Sequence, residues 1–397
     1  MSALSDIRVL DFAKFLPGPY CTWLLADMGA DVIRIENPRE VRKQAQVFGW
    51  DKLTEDDRRR LRENDILARN KRSVMLDLGD ADAIEAIKAL VATADVVVED
   101  YRPGVMDKMG LGYEALAAVK PDLIYTSLTL CGQTGPYRDK PGHDPIALAI
   151  AGVLSRIGEN PDAPGFAGVP AADVITGTHA AFATLAALMD RSRTGKGQHI
   201  DVAMSDCAMS LLVNVLSRYP DVSRIPPRGT RRADIGLWRT RDGKFVCTTD
   251  MEPRYWRAFC EAVGRPDFIP LQHATAHHAD IRATLDRIFA SRTQAEWLDL
   301  LGAAGTQFAP VLDVAEALED PHNTARGMVM DLGTGEDTVR HLGAPVRLSG
   351  ATEIRNLGRL PGADTEEVLA EVLADLGFSR ERVREMKGRR IQPVSGN

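Results

Sequence analysis

The chain lacks the sequence features that mark several protein classes. It has only five cysteines in 397 residues, and none of them forms a C-x-x-C pair. This argues against a disulfide framework or a zinc site and predicts reduced thiols. No charged-then-apolar leader opens the chain, and no apolar run reaches the roughly 18 residues that a membrane-spanning helix needs. We therefore expect a cytoplasmic protein without a membrane partner.

An excess of basic residues is also absent. The 49 Lys and Arg residues are outnumbered by 56 Asp and Glu residues, which gives a formal net charge of -7. Such a balance does not suggest nucleic acid or an anionic membrane as a general partner. An anionic ligand would need a local basic patch. No cluster of ligating residues with recognisable metal-site spacing appears, so no metal is expected.

The first part of the chain alternates between two hydrophobic patterns. Strand-like runs at 7–12, 30–35, 95–99 and 123–128 alternate with helix-like stretches at 20–28, 82–92 and 113–119. This alternation predicts a parallel sheet in a doubly wound α/β domain. The first strand is not followed by G-x-G-x-x-G, so binding of a nicotinamide or flavin dinucleotide is not indicated.

The length predicts two domains, because one hydrophobic core rarely serves more than about 250–300 residues. A stretch rich in Pro, Arg and Gly at 219–230 is the predicted linker, which leaves a large domain at 1–218. A hairpin around Asp242-Gly243 and three helical segments predict a smaller α+β domain at 231–326, followed by a C-terminal segment at 327–397. The highly charged segment 40–68 is either a solvated helical insertion or a lid over a ligand.

Two short motifs suggest acid/base chemistry. His143 lies in Gly142-His143-Asp144, and Asp173 follows Ala172 just before a predicted helix at 174–191. A single histidine is more often structural than catalytic, and an aspartate before a helix is usually an N-cap. The rest of the chain raises the probability of the catalytic interpretation.

Six motifs identify a family. In chain order they are Pro17-Gly18-Pro19, the segment 29–36 (GADVIRIE), Asn70-Lys71-Arg72-Ser73, Tyr101-Arg102-Pro103-Gly104, the segment 132–137 (GQTGPY) and the segment 193–198 (RTGKGQ). With these motifs the chain resembles the family III CoA-transferase superfamily of the CaiB/BaiF type over residues 7–377. Its site motifs are most similar to those of α-methylacyl-CoA racemases.

The resemblance implies an architecture and a substrate. It implies a Rossmann-like doubly wound large domain, a smaller α+β domain, a C-terminal segment that returns to the large domain, and an interlocked homodimer. Coenzyme A would be part of the acyl-CoA substrate, with no tightly bound cofactor. Asp173 matches the family's catalytic aspartate. The residues that match the CoA groove are Leu16, Asn70, Lys71, Arg72, Asp100, Tyr101, Arg102, Lys108 and Met109. The family often has Arg where this chain has Asn37, which leaves open whether Arg39 supplies that phosphate contact.

The same resemblance leaves two activities open. A transferase would use Asp173 as a nucleophile that accepts the acyl group. A racemase would use it as one of two opposed acid/base groups. The Gly-His-Asp motif favours the racemase, because an imidazole ordinarily titrates near 6.5 and exchanges protons at neutral pH. In racemases the acid matching Glu252 reaches the site across the dimer, so Glu252 would support His143.

Other observations point in both directions. The segment 228–234 lacks the glycine-rich loop of many transferases, whereas Thr176-Gly177-Thr178-His179 resembles the transferases. We therefore expect a racemase or epimerase that acts on a 2-methylacyl-CoA thioester, with CoA transfer between carboxylic acids as the alternative. A CoA-binding protein without turnover is the third possibility.

Overall fold

The computed structural model describes residues 2–158, 160, 162–333, 335, 338–349 and 354–373. These residues divide into two compact units. The first unit contains the residues up to Ile157, Pro164–Ile225 and the residues from Met328 onward; the second contains Gly158–Ala163 and Pro226–Gly327. The boundary between Ile225 and Pro226 falls within the predicted linker. The sequence pattern also predicts a helix at 365–376 and a basic C-terminal tail; the end of that helix and the tail lie outside the described residues.

A six-stranded parallel sheet forms the centre of the first unit, as the sequence pattern predicts. Its strands lie in the order β3-β2-β1-β4-β5-β6. They are β1 (Arg8–Asp11), β2 (Asp31–Glu36), β3 (Lys71–Met75), β4 (Val96–Glu99), β5 (Ile124–Thr129) and β6 (Gln198–Ala203). The chain moves from β1 outward to β3, then returns past β1 to continue through β4. The switch point of this doubly wound sheet is therefore between β1 and β4.

Helices cover both faces of the sheet. The helices of the first unit are α1 (Pro17–Asp27), α2 (Pro38–Phe48), α3 (Glu55–Glu63), α4 (Ala81–Ala92), α5 (Val105–Lys108), α6 (Tyr113–Ala117), α7 (Asp144–Ile150), α8 (Ala171–Thr194), α9 (Met204–Met209), α10 (Val213–Arg218) and α16 (Thr365–Leu373). One core places α4 and α16 against the sheet, through residues such as Ile87 and Val368. The other core places α1 and α8 against the opposite face, through residues such as Leu25 and Ala180. A short antiparallel pair, β10 (Val329–Leu332) and β11 (Val339–Leu342), completes this unit.

Helix α8 has 24 residues and is long and apolar enough, by length and composition alone, to cross a membrane. The sequence interpretation underestimated this stretch. Its small residues explain the composition, because α8 packs closely on α1. A Cβ atom on Gly177 would lie 2.6 Å from the Pro17 carbonyl oxygen. Glycine at 177 therefore serves helix packing in the core.

The charged segment forms two surface helices. Neither α2 nor α3 contains a buried residue. Helix α3 begins with a capping box in which Thr54 accepts from the Asp57 N–H. Helix α2 contacts the rest of the unit through Arg39, which pairs with Asp77, and through Glu40. The Glu40 carboxylate accepts from Lys14 at 3.0 Å and from the Tyr101 hydroxyl at 3.3 Å. The segment is therefore solvated, and its first turn reaches the residues that follow β4.

The second unit has its own hydrophobic core. Its elements are β7 (Ile235–Arg239), β8 (Phe245–Thr249), β9 (Phe308–Pro310), α11 (Pro253–Ala262), α12 (His278–Phe289), α13 (Gln294–Ala304), α14 (Val314–Glu319) and α15 (Pro321–Ala325). The three strands pair antiparallel, and the predicted Asp242-Gly243 turn joins β7 to β8. Aromatic residues including Trp238, Trp256 and Trp297 fill the core.

Candidate active site

A pocket opens at the switch point of the sheet, where ligands of open α/β sheets usually bind. Its volume is about 420 Å³. The loop after β1 and the turn after β4 form part of its wall, through Phe15 to Pro17 and Asp100 to Pro103. The remaining lining residues come from the end of β5, from 138–143, and from Asp173 and Met204. His143 and Asp173 therefore lie in one pocket.

Asp173 reaches this pocket because another carboxylate caps its helix. Helix α8 begins after Pro170, which has no side chain that could cap the first N–H groups. The buried Asp144 supplies the cap, since its Oδ2 accepts from the Ala172 N–H at 2.6 Å and from the Asp173 N–H at 3.2 Å. Asp144 thus connects the start of α7 to the start of α8.

His143 lies at the N-cap position of α7, directly before Asp144. Its ring makes no capping hydrogen bond and is exposed to the pocket. The edge of the ring meets the Phe15 ring, with centroids 5.6 Å apart and an interplanar angle of 71°. His143 and Asp173 are thirty positions apart in the sequence. Asp144 thus holds them at the starts of two adjacent helices.

The charge state of Asp173 is balanced near neutral pH. Burial and the Asp144 carboxylate raise the pKa of Asp173 to about 6, and the nearby His143 acts in the opposite direction. A position in the first turn of a helix favours the ionised form, by about 0.3–1 kcal/mol. Burial outweighs that preference here. Asp173 can therefore exist in both protonation states close to neutral pH.

A second carboxyl group holds the two walls of the pocket together. Asp100 follows β4, and its Oδ2 accepts from the Lys14 N–H at 2.8 Å and the Phe15 N–H at 2.7 Å, both after β1. Burial raises the pKa of Asp100 to about 7 despite these two backbone hydrogen bonds. Its Oδ1 is buried without a hydrogen-bond partner among the described residues.

Four of the residues predicted to bind CoA line this pocket, namely Leu16, Asp100, Tyr101 and Arg102. Other lining residues had no sequence signal of their own. They include Phe15, Leu130, Arg138, Lys140 and Met204. Arg138 and Lys140 immediately follow the 132–137 motif, and their proximity to that motif was the one available indication.

Three predicted CoA ligands, Asn70, Lys71 and Arg72, are not among the residues that line this pocket. Lys71 is only 2% exposed. Its ammonium is 3.0 Å from Asp11 Oδ2 and 2.6 Å from the Thr22 hydroxyl. Arg72 forms ion pairs with Asp31 and Glu371. The buried Asn70 adopts a φ of 60°, donates to Asp27 and accepts from the Arg355 N–H. These three residues stabilise the edge of the sheet and do not line the pocket.

The remaining predicted groove residues are also outside the pocket lining. Lys108 ends α5 with an exposed side chain, and Met109 packs against the core on the α4 side of the sheet. Asn37 caps α2 by accepting from the Arg39 N–H. The Arg39 guanidinium binds Asp77 at 3.1 Å. The Arg39 side chain is otherwise exposed, and its contact with a phosphate stays a prediction.

Glu252 belongs to the second unit and precedes α11 as its N-cap residue. Its side chain is exposed. The Gln307 side-chain amide is oriented so that both its oxygen and its nitrogen have suitable partners. In this orientation the nitrogen donates to Glu252 Oε2 at 3.2 Å and to the Thr249 carbonyl. Glu252 is thus held locally by Gln307, and its support of His143 stays a prediction.

The chain as a whole is similar to known acyl-CoA racemases and CoA-transferases. A family model described as CoA-transferase family III matches residues 4–365. The α-methylacyl-CoA racemase of Homo sapiens is 33% identical, over 98% of this chain and 97% of that protein. The succinyl-CoA–L-malate CoA-transferase beta subunit of Chloroflexus aurantiacus is 32% identical, over 98% of each. A solved CaiB/BaiF family protein from Brucella suis superposes with a TM-score of 0.79 at 29% identity, covering 94% of this chain and 99% of that one.

Proposed function

The chain belongs to CoA-transferase family III, and from that premise we propose that it is an acyl-CoA racemase or epimerase. Its reaction would exchange the α-proton of a 2-methylacyl-CoA thioester. The observation that supports this proposal is the pair of His143 and Asp173 in one pocket, with Asp144 between them. A racemase needs two groups that exchange protons, one for each face of the α-carbon.

The mechanism follows from two opposed proton acceptors. One group removes the α-proton and leaves an enolate of the thioester, and the other donates a proton to the opposite face. For the reverse reaction the roles of His143 and Asp173 exchange. The partner subunit's Glu252 would support His143 across the dimer, as the resemblance implies. Each step moves one proton and needs no oxidant, reductant or metal.

The electrostatics of Asp173 are consistent with a general acid or base. Burial, with Asp144, raises the pKa of Asp173 to about 6, so the group is close to the operating pH that suits a general acid or base. A nucleophile that accepts an acyl group gains from full ionisation. An imidazole ordinarily titrates near 6.5. A group that titrates close to neutral pH can both remove and return a proton, as a reversible reaction requires.

CoA transfer between carboxylic acids remains the second candidate. Relatives with similar identity include the succinate–glutarate CoA-transferase of Agrobacterium fabrum, at 34%. The Thr176-Gly177-Thr178-His179 segment, which resembles the transferases, also makes contacts inside the fold. Gly177 is required by the close contact between α8 and α1, and His179 bonds through its ring to the Ile175 carbonyl within the same helix. Both residues thus have structural roles.

We also propose that the protein functions as a homodimer. Helices α8 to α10 expose large apolar side chains, among them Phe182 at 70%, Met189 at 71% and Val213 at 66%. Contiguous exposed apolar surface usually marks an interaction site. Sedimentation equilibrium should give a mass twice that of the chain; a monomer at micromolar concentration would contradict this part of the proposal.

The decisive experiment measures solvent exchange and acyl transfer in parallel. The enzyme is incubated with a 2-methylacyl-CoA in heavy water, with and without a free acceptor acid, and the products are analysed by mass spectrometry. A racemase incorporates one deuterium without an acceptor. A transferase instead moves CoA to the acceptor, and hydroxylamine traps an activated Asp173 carboxyl group. Transfer without deuterium incorporation would contradict the racemase proposal.

A further inference from the structure

Arg138 and Lys140 line the same pocket as the candidate acid/base pair, His143 and Asp173. We propose that Arg138 and Lys140 form a carboxylate-binding subsite, so that the preferred acyl group carries a second carboxylate a few bonds from its α-carbon. This inference rests on the proposed function, because it names the substrate class of the same pocket. The favoured substrate would be the monothioester of a short 2-methyl dicarboxylic acid.

The charge of the pocket is opposite to that of the whole chain. Although the formal net charge is -7, Arg102, Arg138 and Lys140 all line this one pocket. The carboxyl groups among the lining residues are Asp100 and Asp173. Asp100 is already engaged by two backbone N–H groups. The pocket therefore has cationic groups available for an anionic ligand.

Arg138 is held in a fixed position. Its Nε donates to the Gln133 carbonyl at 2.9 Å, and its Nη1 forms an ion pair with Asp139 at 3.0 Å. Its Nη2 lies over the turn after β4, where a Cβ on Gly104 would be 3.5 Å away. A guanidinium has five N–H donors in a planar fork. The N–H groups of Arg138 that are not used in these two contacts can bind a carboxylate, as arginine does in many proteins.

Lys140 provides the second cation. A turn in which the Lys140 N–H donates to the Tyr137 carbonyl fixes its backbone. Its ammonium lies 5.3 Å from the centroid of the Tyr137 ring, and within the described part of the chain no carboxylate forms an ion pair with it. Tyr137 leaves the ammonium group free to pair with a ligand, since cation–π attraction at exposed sites is weak.

The position of Lys140, close to His143 in the chain, indicates which anionic group it binds. Lys140 is three residues before His143, so their Cα atoms are within about 11 Å of each other. A carboxylate a few bonds from the α-carbon can reach Lys140 while the α-carbon lies between His143 and Asp173. The phosphates of CoA are the other source of negative charge, but they lie at the far end of the pantetheine arm. The location near His143 therefore favours the acyl carboxylate.

Equilibrium binding of three ligands separates these two sources. We would measure, by calorimetry, the Kd of CoA, of 2-methylbutanoyl-CoA and of 2-methylsuccinyl-CoA with the free carboxylate distal to the methyl-bearing carbon. The last two thioesters differ chiefly in the replacement of a methyl by a carboxylate. We expect the wild-type protein to bind the carboxylate ligand about tenfold more tightly, and Lys140→Gln or Arg138→Gln to remove about that factor, as for a partly exposed charged hydrogen bond.

The controls define the other outcomes. Lys196→Gln removes an exposed cation outside the pocket and should leave all three Kd values unchanged. Equal weakening of all three ligands by Lys140→Gln would assign the cation to CoA phosphates and overturn the inference, as would no weakening of any. Because binding needs no turnover, these results are independent of deuterium exchange. Failure of exchange in the wild type would overturn the proposed reaction alone.

Discussion

Asp144 accepts a hydrogen bond from the backbone N–H of Asp173 at 3.2 Å, and this contact links the two candidate acid/base residues. It places the start of α8 beside the start of α7, where His143 is the preceding residue. The same carboxylate contributes to the raised pKa of Asp173. Asp144 therefore acts as a positioning residue that also adjusts the proton affinity of its neighbour.

Replacing Asp144 by Asn should separate these two effects. The Asn side chain can still accept the two N–H bonds, but it removes the negative charge that raises the pKa of Asp173. When Asp173 is the base, the wild-type rate should fall as the pH drops below about 6. In Asp144→Asn this fall should occur at lower pH. If kcat/KM in the variant falls at the same pH as in the wild type, or at a higher pH, the assignment is contradicted.

Asp173→Asn should preserve the fold while removing most of the turnover. The amide has the same shape but cannot accept the α-proton, so the loss should be about 10²–10⁴-fold. CoA binding should persist, and circular dichroism should match the wild type. Near-normal turnover in the purified variant would show that the reaction does not depend on Asp173.

Lys71→Met should reduce stability and leave the KM for acyl-CoA unchanged. The substitution removes the partner of the fully buried Asp11 carboxylate, and an uncompensated buried charge usually costs about 3–5 kcal/mol. Adding Asp11→Asn should restore part of the loss. Urea unfolding measures the first effect and steady-state kinetics the second. A raised KM at normal stability would return Lys71 to the CoA groove.

Glu99 should make the free energy of unfolding depend on pH. Burial raises the pKa of Glu99 to about 7, so the unfolded chain ionises first as the pH increases. The stabilisation is complete below the ordinary glutamate pKa near 4.3 and is lost as the pH rises through about 7, by up to ~3 kcal/mol. Glu99→Gln should remove this loss between pH 5 and pH 8. An unchanged pH dependence in that variant would contradict the assignment.

The sequence predicted most strands of the parallel sheet and pointed to His143 and Asp173, which share one pocket, because hydrophobic alternation and short motifs are local signals. It did not predict β3, since Lys71 and Arg72 were interpreted as ligands for phosphate. Their partners, Asp11 and Asp31, lie 60 and 41 positions away, and only the folded sheet brings them together. The capping of α8 by Asp144 is equally long-range and could not be predicted from the motif alone.

The most direct test of the acid/base pair measures the rate of α-deuterium incorporation in heavy water from each pure epimer, for the wild type and for His143→Ala. If His143 and Asp173 act on opposite faces, His143→Ala should slow exchange about 10²–10⁴-fold from the epimer whose proton His143 removes. Exchange from the other epimer, where Asp173 is the base, should decline much less. Equal rates for both epimers in His143→Ala, or no deuterium incorporation in the wild type, would contradict the account.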